Sequence, residues 1–359
     1  MSRVARSHES GRGLKPVMAN FFPAQVKSNP SFSEPDLIIT QAQASGAFAT
    51  LAEGAPRIKL GAGDLYVYIN TLDIRTEQQA AQSSFNNVPS ASLIADYIST
   101  QSYLLRSSAV YDHHDMEAAS NYAIGLPDAQ DLAMTQGIYN VMRNGLLYGF
   151  TPSNNEGLLN AQYATTVTLP QDHLGNTTVT SYDNGDMYQF ILQQIVNLKT
   201  SMFQSGGDIR NRLVIVSPQR VFLQLQNANV IQVTSYQRPG AGTSTVGQAI
   251  KATVNSTGDE IEYYFDDTLM AKGAGGTDVV ILTIPEFDVP RLPGINTNVA
   301  GQIKPGLSAV NLMYADMPKP MKIPTPVSDG AIRIVQEIRV TSGWNVRGSG
   351  LYLLNMLYS

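Results

Sequence analysis

Residues 121–160, NYAIGLPDAQDLAMTQGIYNVMRNGLLYGFTPSNNEGLLN, constrain this chain more than any other stretch. They read as one long helix that ends in a glycine-bearing corner. Pro127 fits the first helical position, where its missing N–H leaves no bond unmade. Asp128 and Asp131 fall in the early turns and Arg143 toward the end, the placement the helix dipole favours. Met134, Ile138, Val141 and Gly145 are spaced four, three and four residues apart, one face of a helix. From Pro127 to Tyr148 the helix makes about six turns and spans about 33 Å. Gly137 and Gly145 weaken it intrinsically and mark places where another element can come close. Gly149 and Pro152 stop the helix, and Gly157, Leu158, Leu159 and Asn160 turn the chain back. No catalytic constellation stands beside this stretch.

Charged residues make up only 15% of the 359, against roughly 25% in a typical soluble chain. A surface poor in charge loses less solvation when it is covered. Extensive self-association is one reading of that, and a bland low-charge secreted protein is the other. The net charge of -5 argues against a general nucleic-acid binder. It leaves room for an inner surface that tolerates nucleic acid. With no cysteine there are no disulfides, thiolate nucleophiles or thiolate-bound zinc. No apolar run reaches the length of a membrane span. The start, MSRVARSHESGRG, has no apolar core after its basic residues and is not read as a signal peptide. Without secretion, the Asn-x-Thr triplets at Asn176 and Asn255 are not expected to carry glycans.

The first 60 residues hold little periodicity. Arg3, Arg6, Arg12 and Lys15 make the start basic, and Pro16, Pro23, Pro30, Pro35 and Pro56 forbid one continuous helix. Phe21, Phe22, Phe32 and Phe48 are out of place in a solvated tail. The segment is expected to be an extended arm that docks on a neighbouring surface, with a short helix between Ala42 and Leu51. Residues 64–75, DLYVYINTLDIR, are strand formers, and 76–90 are polar with turn signals. A short helical pattern at Leu93, Ile94, Tyr97 and Ile98 precedes a strand-like SYLLRSSAVY. Together these predict a long two-stranded excursion, which is not stable alone and needs a surface to lie on. Asp112, His113, His114, Asp115 and Glu117 are the one local His/acid cluster. On a strand they would alternate between faces, so a solvated polar patch is expected rather than a metal site.

A second, α/β region begins near residue 186. Asp186 reads as a helix N-cap, and Met187, Ile191, Ile195, Leu198 and Met202 form an apolar stripe. Leu213–Val216 is a buried-strand candidate, and Ser217-Pro218 opens a further helix. Strands are expected at Ile261–Phe265 and Val279–Ile284, giving helices beside a mixed sheet. The loops GAGTSTVG and GAGG lack the Gly-Lys-Ser/Thr ending and the leading strand of a phosphate-binding loop. AIRIVQEIRVT at 331–341 alternates as a strand, and Trp344 with Leu351–Leu357 is expected to return beside it, packed beneath the long helix. No serine stands in a Gly-x-Ser-x-Gly elbow, and Glu260, Asp266 and Asp267 read as ordinary turn or strand-edge acids. No enzyme, cofactor or metal is expected.

In order and spacing, these elements resemble the major capsid proteins of tailed bacteriophages, the Hong Kong 97-type fold, from about Asp64 to the C-terminus. The stretch Leu126–Asn160 is similar to that family's spine helix and its exit. The resemblance implies an α+β fold in five parts. These are an N-terminal arm (1–60), an extended loop with peripheral strands (61–120), the spine helix and corner (121–185), an axial domain (186–310) and a C-terminal return to the peripheral sheet (311–359). The residues it marks for structure and assembly are Pro127, Asp128, Gly157, Leu158, Leu159 and Asn160, to which the docking arm and last strands add Phe21, Phe22 and Trp344.

The function it implies is a virion shell, assembled in the bacterial host cytoplasm from pentamers and hexamers of this chain. The shell would enclose double-stranded DNA touched non-specifically. A separate scaffolding protein, a portal and a cement or decoration protein are the implied partners, with no membrane. Some shells of this fold are cross-linked by a loop lysine that attacks a neighbour's asparagine. Here no lysine occurs between Lys59 and Lys199, so a non-covalent shell is expected. An encapsulin-like protein compartment, a phage tail or tube protein and, least of all, a soluble enzyme remain the alternatives.

Overall fold

The computed structural model describes residues 51, 58–76, 91–120, 125–162, 164–202, 212–227, 229–230, 244–285, 312–327, 330–345 and 348–359. The expected arm, with Phe21, Phe22 and the short helix expected before Leu51, lies outside the described residues, as do residues 77–90, where a turn is expected. In chain order the first elements are β1 (Ile58–Lys59), β2 (Tyr66–Thr76), β3 (Ala91–Tyr111), α1 (His113–Ser120), α2 (Leu126–Tyr148) and β4 (Thr165–Thr168). Then come α3 (Asn184–Met202), β5 (Arg212–Ser217), α4 (Gln219–Asn227), β6 (Asn229–Val230), β7 (Ser244–Thr245), α5 (Val246–Ser256), β8 (Glu260–Phe265) and β9 (Asp278–Thr283). The last are β10 (Leu312–Met313), β11 (Ala315–Asp316), β12 (Met321–Pro326), β13 (Ile332–Thr341), β14 (Trp344–Asn345) and β15 (Leu351–Met356).

Among the described residues the chain forms two units, one from 106–137 and 322–336, the other from 51–105, 138–321 and 337–359. The larger unit is built on a five-stranded sheet of order β4-β15-β9-β5-β8. Its middle strands are buried on both faces, so their apolar residues run without alternation. Successive side chains point to opposite faces, and two cores result. Leu213, Ile215, Val280, Leu282, Tyr352 and Leu354 face the core shared with α3, α4 and α5. Val214, Val216, Val279, Ile281, Leu351 and Leu353 face the other way, toward Ile138, Met142, Leu146 and Leu147 of α2, with Ile338 and Val340 of β13. The long helix is thus supported by sheet residues over its C-terminal half.

A second sheet has the order β1-β11-β13-β3-β2, with β12 also paired to β13. Its outer pair is the expected hairpin, in register from Tyr66 opposite Gln101 to Thr76 opposite Ala91. In the smaller unit, Asp131 of α2 accepts from Gln336 Nε2 at 2.6 Å and pairs with Lys322 Nζ at 2.8 Å. Arg333 reaches Ser108 Oγ at 3.3 Å.

Several local readings need correction. Residues 91–111 are one 21-residue strand with no helical part, because cross-strand pairing along β2 overrides the local pattern. His113–Ser120 is a helix rather than a strand, capped reciprocally by Asp112 and Asp115 through their side chains and amides. On α2 the buried face runs Met134, Ile138, Met142, Leu146, while Val141 is 43% exposed. Helix α3 is capped by Asp183, whose carboxylate accepts from the amides of Gly185 and Asp186. The last strand, β15, pairs with β9 and β4 rather than with β13. A continuously apolar strand belongs in the doubly covered sheet, where both of its faces are buried.

Candidate assembly site: the hairpin root and the corner

The hairpin leaves the larger unit at a root held by polar clamps. Beyond Tyr66 and Gln101, the Ser102 amide donates to Leu65 O at 2.9 Å. Arg339, nearly buried on β13, donates from Nε to Ala62 O at 2.9 Å and from Nη1 to Ser102 Oγ at 3.0 Å. The Ser102 hydroxyl in turn donates to Asp64 O. On the covered face, Val67 packs with Leu60, Ala315 and Trp344, with Ile98 against them.

The opposite face of the ribbon is open. Tyr66 and Tyr68 share it by their spacing, and register adds Tyr97, Ser99 and Gln101. The three tyrosines are 54%, 62% and 62% exposed. Their rings lie 6.2 Å (Tyr66–Tyr68) and 5.9 Å (Tyr68–Tyr97) apart. An uncharged, tyrosine-rich surface has the composition of an interface core.

One residue past the root, Tyr103 meets the corner that follows α2. Its hydroxyl donates to both oxygens of the buried Glu156 carboxylate, at 2.8 and 2.9 Å. Glu156 Oε2 also accepts from the Thr151 amide at 3.1 Å and from Ser342 Oγ at 3.0 Å. Ser342 Oγ accepts from the Phe150 amide at 3.3 Å. Burial pushes the Tyr103 phenol above its ordinary value; the bond with Thr151 opposes the shift and the Glu156 carboxylate adds to it.

The corner is closed by backbone packed on backbone. Gly149 has φ +75° and Gly157 φ +86°, values that disfavour any side chain. A Cβ on Gly157 would lie 2.3 Å from Gly149 N, and one on Gly343 would lie 2.5 Å from Leu146 O. The Gly157 amide donates to Gly343 O at 3.0 Å. Gly145 also gives close approach, since a Cβ there would meet the Phe150 ring at 2.3 Å; Gly137 has open space.

No protein-family model matches this chain, and no curated protein does. Solved structures do. The capsid of Myoviridae phage XM1 aligns at TM-score 0.64 and 13% identity, covering 91% of this chain and 97% of that one. The capsid of an empty GTA particle, computed with C5 symmetry, aligns at TM-score 0.54 and 8% identity, over 92% and 95%. The capsid of cyanophage P-SCSP1u aligns at TM-score 0.53 and 9% identity, over 99% and 97%. The chain has a phage-capsid fold.

Within this capsid fold, the residues marked from sequence separate by role. Pro127 and Asp128 lie exposed in the first turn of α2. Gly157 makes the corner, Leu158 is fully buried, and Leu159 packs on the same core. Asn160 Nδ2 donates to Tyr148 O at 2.9 Å and Glu156 O at 3.4 Å, tying the corner to the helix end. Trp344 is 8% exposed and stands in the cluster beneath the hairpin. Sequence reading missed Glu156, Tyr103, Arg339 and Ser342. None of them carries a local signal for this role, and only the fold brings them together.

It also missed a different His/acid set. His173, Asp183 and Asp186 offer ligand atoms within 4.8 Å of one another. The carboxylates are already occupied: Asp186 Oδ2 accepts from the His173 amide at 2.9 Å and meets its Nδ1 at 2.7 Å, while Asp183 caps α3. The set braces the loop before α3. Among the described residues, no helix is long and apolar enough to cross a membrane.

Proposed function

We propose that this chain is a major capsid protein that assembles as pentamers and hexamers into an icosahedral shell around double-stranded phage DNA. The observation that carries the reading is near full-length likeness, in both directions, to the XM1 capsid at TM-score 0.64. The long hairpin with its open tyrosine face supports it, because a two-stranded ribbon needs an outside surface. In this reading α2 is the spine and residues 186–310 the axial domain, completed by β15 from the C-terminus. The hairpin is the extended loop, and 1–60, with Phe21 and Phe22, is a docking arm. The role is structural, the location the virion shell built in the host cytoplasm, and the partners a separate scaffold, a portal and a cement protein.

The shell is held by non-covalent contacts, since 60–198 contains no lysine to serve as a nucleophile. Arg75 and Arg106 cannot replace it, because a guanidinium stays protonated. Light scattering of the purified full-length chain, with and without its scaffold, tests the reading. Species of many subunits support it, and a strict monomer at tens of micromolar in both samples rejects it.

A further inference from the structure

We propose that the Glu156 carboxylate is a coupling joint, through which the hairpin root and the corner after the long helix move together. A carboxylate only accepts hydrogen bonds and has about four places to do so. Here three donors occupy it: the Tyr103 hydroxyl on β3, whose one proton is shared between the two oxygens, the Thr151 amide in the corner, and Ser342 Oγ beyond β13. Ser342 Oγ carries the network one bond further, to the Phe150 amide. The carboxylate is buried, so water does not readily replace a partner that withdraws.

A second link runs in parallel. The Tyr103 ring lies 4.8 Å from the Phe150 ring, centroid to centroid. Phe150 in turn sits where Gly145 of α2 leaves no room for a Cβ. The corner has little freedom to absorb a displacement on its own. Gly149 and Gly157 meet backbone to backbone, and the Gly157 amide is bonded to Gly343 O. Close-packed groups transmit a push instead of damping it. Movement of Tyr103 therefore reaches the end of α2 through Glu156 and through Phe150 together.

The coupling is a property of the single chain. Its use rests on the shell reading: a neighbouring copy pressing on the face of Tyr66, Tyr68 and Tyr97 would be felt at the end of the long helix. Hydrogen exchange on the full-length, unassembled chain tests the joint. Tyr103→Phe removes one oxygen and keeps the ring against Phe150. It is expected to speed exchange of the Phe150 amide, which is bonded to Ser342 Oγ and not to Tyr103, by about tenfold or more; the Thr151 amide, whose residue also meets the Tyr103 hydroxyl through Oγ1 at 3.0 Å, is expected to follow. Glu156→Gln is expected to speed the same amides and also the Ser102 amide at the hairpin root. Corner amides that exchange at wild-type rates in Tyr103→Phe overturn the joint, whether or not Glu156→Gln folds. A chain that never assembles but shows the tenfold change keeps the joint and loses the shell. A shell-forming chain with unchanged exchange does the reverse.

Discussion

At Gly157 two constraints fall on one atom position. The backbone has φ +86° and ψ 149°, a region open essentially only to glycine, and the space a Cβ would need is taken by the backbone of Tyr148 and Gly149. Gly175 has the same φ of +86° with nothing within 4 Å of its absent Cβ. The pair separates conformation from crowding. Gly175→Ala is expected to cost about 1–2 kcal/mol, and Gly157→Ala roughly 3–5 kcal/mol once overpacking is added. Urea unfolding of the two variants checks this, and equal losses would mean that the corner relaxes. A second test at this scale is pH. The hydrogen bond that the His173 ring donates to Asp186 raises the His173 pKa above 6.5, and the bonds from the His173 amide and ring lower that of Asp186 below 3.8. The stability that the histidine contributes is full below its unfolded value and fades as pH rises through the raised one. What the aspartate contributes is full above its unfolded value and fades as pH falls through the lowered one. Both act together between about pH 4 and 6.5. The His173 ring protons should titrate with a midpoint above 6.5, and the midpoint should fall in Asp186→Asn. Single residues were unevenly legible in the sequence. A glycine before Leu-Leu-Asn advertises a turn, but Glu156 is one acid in a polar loop, and two of its three partners lie 53 and 186 residues away.

Among the elements, α2 was the most legible, because its start signals, spacing and stop signals agree over a long window. The detail that failed was its face. Val141 fits the spacing, yet Met142 is the buried residue, since the helix must present a stripe to β9, β5 and β15 rather than follow a three-four count. Leu147→Ala, at a fully buried position, is expected to cost about 2–5 kcal/mol. Val141→Ala, on the exposed side, should cost about 0.5 kcal/mol or less. Comparable losses in thermal unfolding would mean that the assigned face is wrong. The strands show what a local reading lacks. Leu93, Ile94, Tyr97 and Ile98 mimic a helical stripe, but pairing with β2 decides their state. The partners of β15 lie at 165–168 and 278–283, a choice that no local pattern specifies. Asp183 and Asp186 both suit a helix cap, and Asp186 is engaged by His173 instead.

For the whole molecule, the sequence carried the class of fold through the order of its parts: long hairpin, long helix, glycine corner, then a helix-flanked sheet. The sharing of one sheet between two cores was not visible, because doubly buried strands read simply as apolar runs. The low charge and the open tyrosine face are what the proposed shell would cover, and under that proposal the absence of lysine from 60–198 predicts a non-covalent covering. Particles boiled in detergent should run as a single band near 38.9 kDa. A ladder of multiples would show a covalent link and would make Lys59 the first residue to replace. The central claim, that this fold builds a closed shell, is tested most directly by electron microscopy of the full-length chain assembled with its scaffold. Closed icosahedral particles with fivefold and sixfold clusters are the expected images. Stacked hexameric tubes, or a field of single subunits, would contradict the account.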